Sequence, residues 1–325
     1  MISKVRLAAA PLLLAFSASL PAQPGDAPAV SVDQMRRHIE VLASDAYEGR
    51  KPGTEGENKT LLYIARQFQE IGLEPAADGD DWYQPVPLVE RRAFGHRAIW
   101  TAGGEPVAFD QRDIALLGAE ARETTSEAPV WFVGHALPEQ LAGADLEGAV
   151  VLALYDAPDD APSYSERAAA LREAGAAAVI SIMNADVPWQ AVTASYAGGQ
   201  TQLAADGRAP ISGAMALGAA ERLVRIGGGD IARAADSGFV PTPLDLRASL
   251  DVSTEVRPYT SHNVIGRLAG SGEGGERVLY LGHWDHLGIC RPESAEDRIC
   301  NGAVDNASGI AMMIEIARAI AEAVL

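Results

Sequence analysis

The chain has 325 residues, 48% hydrophobic and 22% charged, a balance that argues against global disorder and predicts two folded units. Its formal net charge of −18 argues against nucleic acid or an anionic membrane surface as partner, because neither attracts such a surface.

Lys4 and Arg6 precede an uncharged, Ala- and Leu-rich run from Leu7 to Leu20. A positive start followed by a short apolar run predicts an export signal, cut near Ala22, and the run is too short to span a bilayer. No Cys follows it to accept a lipid, so a soluble periplasmic or secreted product is expected, with no membrane partner after cleavage.

Ser31 with Gln34 predicts a capping box, and Met35, Ile39 and Leu42 then repeat at helical spacing. A second helix is expected after Thr54, with Leu61, Ala65 and Phe68 on one face and a stop at Gly72. The glycines of the intervening Tyr47–Thr54 loop are read as turn geometry. From about Phe109 the pattern becomes that of a small α/β unit. Pro129–Val133, Ala149–Tyr155 and Ala177–Ile182 predict strands; Ser165–Ala174 and Ala219–Ile226 predict helices. After Asp251, Asn263–Leu268 and Arg277–Leu281 are expected to form a hairpin around a Gly-rich turn. A last helix from Ser308 carries Ile310, Ile314, Ala317, Ala321 and Val324 on one face. Cys290 and Cys300 are the two cysteines of the chain. In an exported protein their spacing reads as a disulfide, not a zinc site. Closing so short a loop contributes at most about 3 kcal/mol.

The chemistry concentrates in Leu281-Gly-His283-Trp-Asp285-His286-Leu-Gly288, followed by Asn301-Gly-Ala-Val-Asp305-Asn-Ala-Ser-Gly309. His283 is expected just beyond an apolar strand, where ligands collect in α/β sheets, and imidazole is a good zinc donor. Asp285, two residues on, is suited to accept the other ring N–H and fix the tautomer. Asp305 falls at the mouth of the next helix, where its carboxylate can bridge two cations. Singly, each has an ordinary reading: a structural histidine, or an aspartate capping a helix. The full order of strand, His-x-Asp, loop, Asp-Asn-Ala-Ser-Gly and apolar helix is far more specific.

These segments resemble the metal-binding segments of the two-zinc aminopeptidase family that includes bacterial leucyl aminopeptidases and glutamate carboxypeptidase. Gly49-Arg50, Gly53–Glu57 and Gly72–Pro75 resemble the opening of its bacterial members, and the middle unit is similar to their inserted protease-associated domain. The resemblance implies an α/β fold, with a mostly parallel mixed sheet flanked by helices. It implies a signal at 1–22, peptidase stretches at 30–108 and 251–325, and an insert at 109–250. By position it implies that His283 binds one zinc, Asp305 bridges two zinc ions and Asp285 orients His283, with peptide as substrate. His286 fits the pattern as a packing residue. The family's other ligands, a glutamate, an aspartate and a histidine, and its general base, the glutamate directly before the ligand glutamate, come from regions beyond Leu325, so an inactive fragment with an exposed apolar patch is expected. Glu315 is expected to face solvent. The competing readings are a non-catalytic, receptor-like binding protein on the same fold and, third, a one-zinc cyclase acting on N-terminal glutamine.

Overall fold

The computed structural model describes residues 29–324 except 208, 237, 271–274 and 276. The expected export signal at 1–22 lies outside them. The described residues form two compact units, one from residue 29 to Trp82 together with Val264 onward, the other from Tyr83 to Asn263. Among the described residues no helix is long and apolar enough to cross a membrane.

In the first unit, helix α1 (Val32–Leu42) starts at Ser31, whose side chain accepts from Gln34 N at 3.3 Å. The other half of the expected capping box is supplied from elsewhere. The Ser31 N–H donates to Glu315 Oε2 at 3.1 Å, while Gln34 Oε1 accepts from Arg37 Nε instead. Helix α2 (Glu55–Ile71) buries Leu61, Ile64, Ala65 and Phe68 and ends at Gly72. That glycine takes a φ of 93°, freely available only to glycine, and lets Leu73 N reach Phe68 O at 3.0 Å. Strand β1 (Glu74–Pro75) follows.

The second unit contains β2 (Tyr83–Ala102), β3 (Glu105–Val107), β4 (Ile114–Gly118), β5 (Arg122–Phe132), α3 (Pro138–Leu141), β6 (Val150–Leu154) and α4 (Tyr164–Glu173). It continues with β7 (Ala178–Ile182), α5 (Trp189–Gly198), β8 (Gln200–Leu203), β9 (Ile211–Met215), α6 (Leu217–Ile226) and β10 (Thr242–Val264). Its sheet runs β3-β2-β10-β5-β6-β7-β9-β4, with β8 on β2. The α/β class expected from sequence is present, and the centre of the sheet, β5-β6-β7-β9, is parallel. Both faces of that centre are covered. Val150 and Leu152 pack with Leu223 and Val224 of α6, whereas Val151 and Val179 pack with Leu171 of α4. Alternating side chains reach opposite faces, so a strand buried on both reads as one continuous apolar run.

The unit begins at Tyr83 and ends at Asn263, in place of the composition breaks expected at 109 and 250. Strand β2 belongs to it because its partners β3, β8 and β10 all lie later in the chain, and such pairings leave no local signature. Back in the first unit, β11 (Gly266–Arg267) pairs with β1, and β12 (Gly288–Ile289) pairs with β13 (Ile299–Cys300). Helix α7 spans Ser308–Val324. Among the described residues the expected hairpin of Asn263–Leu268 with Arg277–Leu281 is not formed. Gly266–Arg267 is taken by Glu74–Pro75, and Val278, Leu279, Tyr280 and Leu281 are exposed and paired in no ladder.

Helix α7 packs on α1 through a buried polar cluster. Glu315, expected to face solvent, is 1% exposed. Its carboxylate accepts from Ser31 N and from Arg318 Nη2 at 2.8 Å, and its Oε1 lies 3.8 Å from His38 Nε2. Ion pairing to Arg318 makes this burial tolerable. Tyr63, its hydroxyl pushed up to about 12 by burial and by nearby Tyr47 and Glu70, sits 2.7 Å from His38 Nδ1.

Candidate metal centre

His283 and Asp305 come together. His283 Nε2 lies 3.2 Å from Asp305 Oδ1, although the residues are carried by separate loops. The other ring nitrogen, Nδ1, faces Asp285, 3.2 Å from its main-chain oxygen and 3.4 Å from Oδ1. Asp285 therefore stands where an orienting group must stand, with its carbonyl as near as its carboxylate. The second oxygen of Asp305 points elsewhere, 3.6 Å from Nδ1 of the largely covered His286. Asn306 Nδ2 donates to His283 O at 3.0 Å and ties the two loops together directly. The Asp305–Asn306 peptide bond is cis.

The donor pair suits a zinc ion. Two donors about 2.0–2.1 Å from one tetrahedral zinc stand about 3.3 Å apart. The 3.2 Å between His283 Nε2 and Asp305 Oδ1 matches that spacing. Among the described residues no group of three or more His, Cys, Asp or Glu converges for a metal, so the pair is a partial set.

The loops are shaped by their surroundings within the first unit. The expected disulfide joins Cys290 to Cys300, with Cα atoms 5.8 Å apart, across the β12–β13 pair. Gly49, read from sequence as plain turn geometry, has a second duty. A Cβ there would meet Cys300 O at 2.5 Å and Gly288 O at 2.7 Å, so only glycine lets the early loop seat against both strands. Gly302 is equally confined, since a Cβ would stand 2.6 Å from the His286 ring and 2.7 Å from Arg50 Nη2. Asn301 Nδ2 donates to Ala43 O at 2.8 Å and to Asp45 Oδ1 at 2.7 Å.

Arg50 is the residue whose position the sequence reading missed. It is 1% exposed, and its guanidinium donates to Trp284 O at 2.9 Å, Asn301 O at 2.6 Å, Gly302 O at 2.8 Å and also Leu42 O. Its own carbonyl accepts from His286 N at 3.2 Å. Burial holds its pKa below the usual arginine value, against the opposing pull of Asp285 and Asp305. A Gly-Arg pair in a turn gives no hydropathy signal. Only its recurrence in the family resemblance singled it out.

With this geometry in hand, the sequence model of peptidase family M28 matches residues 263–324, the stretch that carries His283, Asp285 and Asp305. This segment is similar to peptidase family M28. No curated protein matches the chain. The solved structures similar to it include an aminopeptidase from Aneurinibacillus sp. strain AM-1, 20% identical at a TM-score of 0.46, covering 90% of this chain and 60% of that one. Another is BSAP, a zinc aminopeptidase from Bacillus subtilis, 18% identical at 0.42, covering 90% and 58%. A third is a peptidase M28 precursor from Shewanella amazonensis SB2B, 18% identical at 0.40, covering 90% and 64%. The chain thus spans 58–64% of the length of these structures. Within the M28 segment, His283 and Asp305 are the residues whose donor atoms converge.

Proposed function

We propose that the protein is a zinc-dependent exopeptidase, an aminopeptidase in preference to a carboxypeptidase, exported to the periplasm or beyond. The reading rests on one observation above others: the M28 match falls on the residues whose donors lie at zinc spacing, His283 Nε2 and Asp305 Oδ1, 3.2 Å apart. His283 and Asp305 would hold the metal, with Asp305 as the residue able to serve a second ion, and Asp285 would keep the His283 ring turned. The two Asp305 oxygens face different imidazoles, which suits a bridging carboxylate. Zinc, when bound, lowers the pKa of a coordinated water and polarises the scissile carbonyl. The chain's own groups fix the imidazole tautomer, with Nδ1 toward Asp285, and present the carboxylate. The Tyr83–Asn263 unit is read as the protease-associated insert.

Two protein donors leave about half of a tetrahedral shell to water, so this 325-residue chain is expected to hold zinc weakly and to lack peptidase turnover. Metal analysis after gel filtration, with hydrolysis of aminoacyl-p-nitroanilides, tests this. Stoichiometric zinc with turnover sinks the expectation of inactivity. A folded protein that takes up no zinc, even at millimolar concentration, removes the peptidase reading and favours the non-catalytic binding protein.

A further inference from the structure

Glu48, Gly49 and Arg50 all take positive φ, at 50°, 64° and 53°. For Gly49 this costs nothing, but for Glu48 and Arg50 it is strain of about 1 kcal/mol or more each, which persists only where the surroundings over-determine it. That strain turns the Arg50 side chain inward, between the end of α1 and the two loops that carry the metal donors. Among the described residues no carboxylate accepts from the guanidinium there. Its four bonds end on main-chain oxygens, and these bracket the donors: Trp284 follows His283 directly, and Gly302 opens the turn that presents Asp305.

The two loops have little else to hold their backbones in register. β12 and β13 are two residues long each; beyond them and the disulfide, the ties seen among the described residues run through side chains, from Asn306 to His283 O and from Asp305 to His283 and His286. Arginine suits the task because its donors are fixed in one planar fork, so seating it on Trp284 O and Gly302 O together sets one distance. Lysine, a point donor on a flexible stem, sets none.

We propose that Arg50 is the positioning residue of the metal centre: by bonding Trp284 O, Asn301 O and Gly302 O at once it sets the separation of His283 and Asp305. This rests on the reading of those two residues as metal donors. Its effect is on geometry, and removing it relaxes the donor pair before it unfolds the unit. Outer residues that orient ligands are typically worth 10–100-fold in metal affinity.

The test compares the full chain with R50K. Cobalt(II) is titrated as the metal probe, followed by paramagnetic broadening of the His283 ring signals, and amide hydrogen exchange is followed in parallel. The expected result is an affinity loss of about tenfold or more in R50K. Exchange should rise about tenfold or more at residues 284–286 and 302–306, by the same scale of local loosening, and stay unchanged in α2. Unchanged cobalt affinity with unchanged exchange in both loops overturns the proposal, even if the thermal midpoint falls. So does a uniform rise across α2 and the loops, which marks Arg50 as a general core residue. If the unaltered protein broadens no His283 signal, the metal reading fails and the inference falls with it. Should R50K not fold, the unaltered protein decides. Its Arg50 Nε–H and Nη–H signals are expected to exchange slowly and shift on cobalt addition, whereas exchange as fast as that of exposed Arg66 overturns the proposal.

Discussion

Among the described residues each unit buries one arginine whose guanidinium ends on carbonyls, and the two do different work. In the first unit Arg50 reaches residues as far as 252 positions away, on loops with almost no ladder between them. In the second, Arg167, 4% exposed, donates to Pro162 O, His135 O, Leu154 O and Tyr155 O, none more than 32 positions distant. Its acceptors sit beside the ends of parallel strands already paired along β5-β6-β7. Arg167 finishes a frame that the sheet has built, whereas Arg50 stands in for a frame. The same side chain therefore governs stability in one unit and the spacing of two functional side chains in the other.

Removing Arg167 is the strongest way to break this comparison. R167A leaves four buried or half-buried carbonyls to find water and is expected to cost about 3–4 kcal/mol in the second unit. Urea unfolding followed by exchange in β6 measures this. Any loosening of the His283 and Asp305 loops in that variant would show that the two arginines are not separable. Next in size is the double variant C290S/C300S, which frees a loop of ten-residue separation and is expected to cost about 2–3 kcal/mol. With Arg50 in place, exchange at residue 302–306 amides should change little, while that of Ile289 and Ile299 rises. Equal loosening of both segments would shift the positioning role from Arg50 to the disulfide.

The smallest effect is a pH response confined to the first unit. Burial lowers the His38 pKa below its ordinary 6.5, outweighing the raising influence of Glu315. A depressed value means the unfolded chain binds the proton first, so stability is full above 6.5 and falls as pH drops toward the folded value. For Glu315, burial alone would raise the pKa, but bonds from Arg318 and Ser31 N outweigh it, and the net shift is downward from 4.5. Its contribution is likewise present above 4.5 and lost below. Thermal midpoints between pH 7.5 and about 2 should fall in two steps; H38Q should remove the upper one and E315Q the lower. A single step unaffected by either variant would contradict the assignment.

Much of this was legible in the residues. Period-3.6 faces marked α1, α2 and α7, unbroken apolar runs marked β6 and β7, and cysteine spacing marked the disulfide. The His-x-Asp and Asp-Asn-Ala-Ser-Gly segments named the residues whose donor atoms meet. What stayed hidden depends on distant partners. Arg277–Leu281 has the composition of a strand but finds its expected neighbour already paired with Glu74–Pro75. Glu315 looks like any helical surface glutamate until Ser31 N, 284 positions away, donates to it. Arg50 in a turn gives no sign of its burial, because nothing local reveals four waiting carbonyls.

The bond from Ser31 to Glu315 also fixes an order of events during synthesis. Helix α1 is made well before Glu315 and Arg318, the groups that finish its start. Between them the ribosome delivers all of Tyr83–Asn263, whose strands pair with one another. From Asn263 to Arg318 is a further 55 residues, about 3–11 s of translation at roughly 5–20 residues per second. The second unit is thus made before the groups that finish the opening helix of the first.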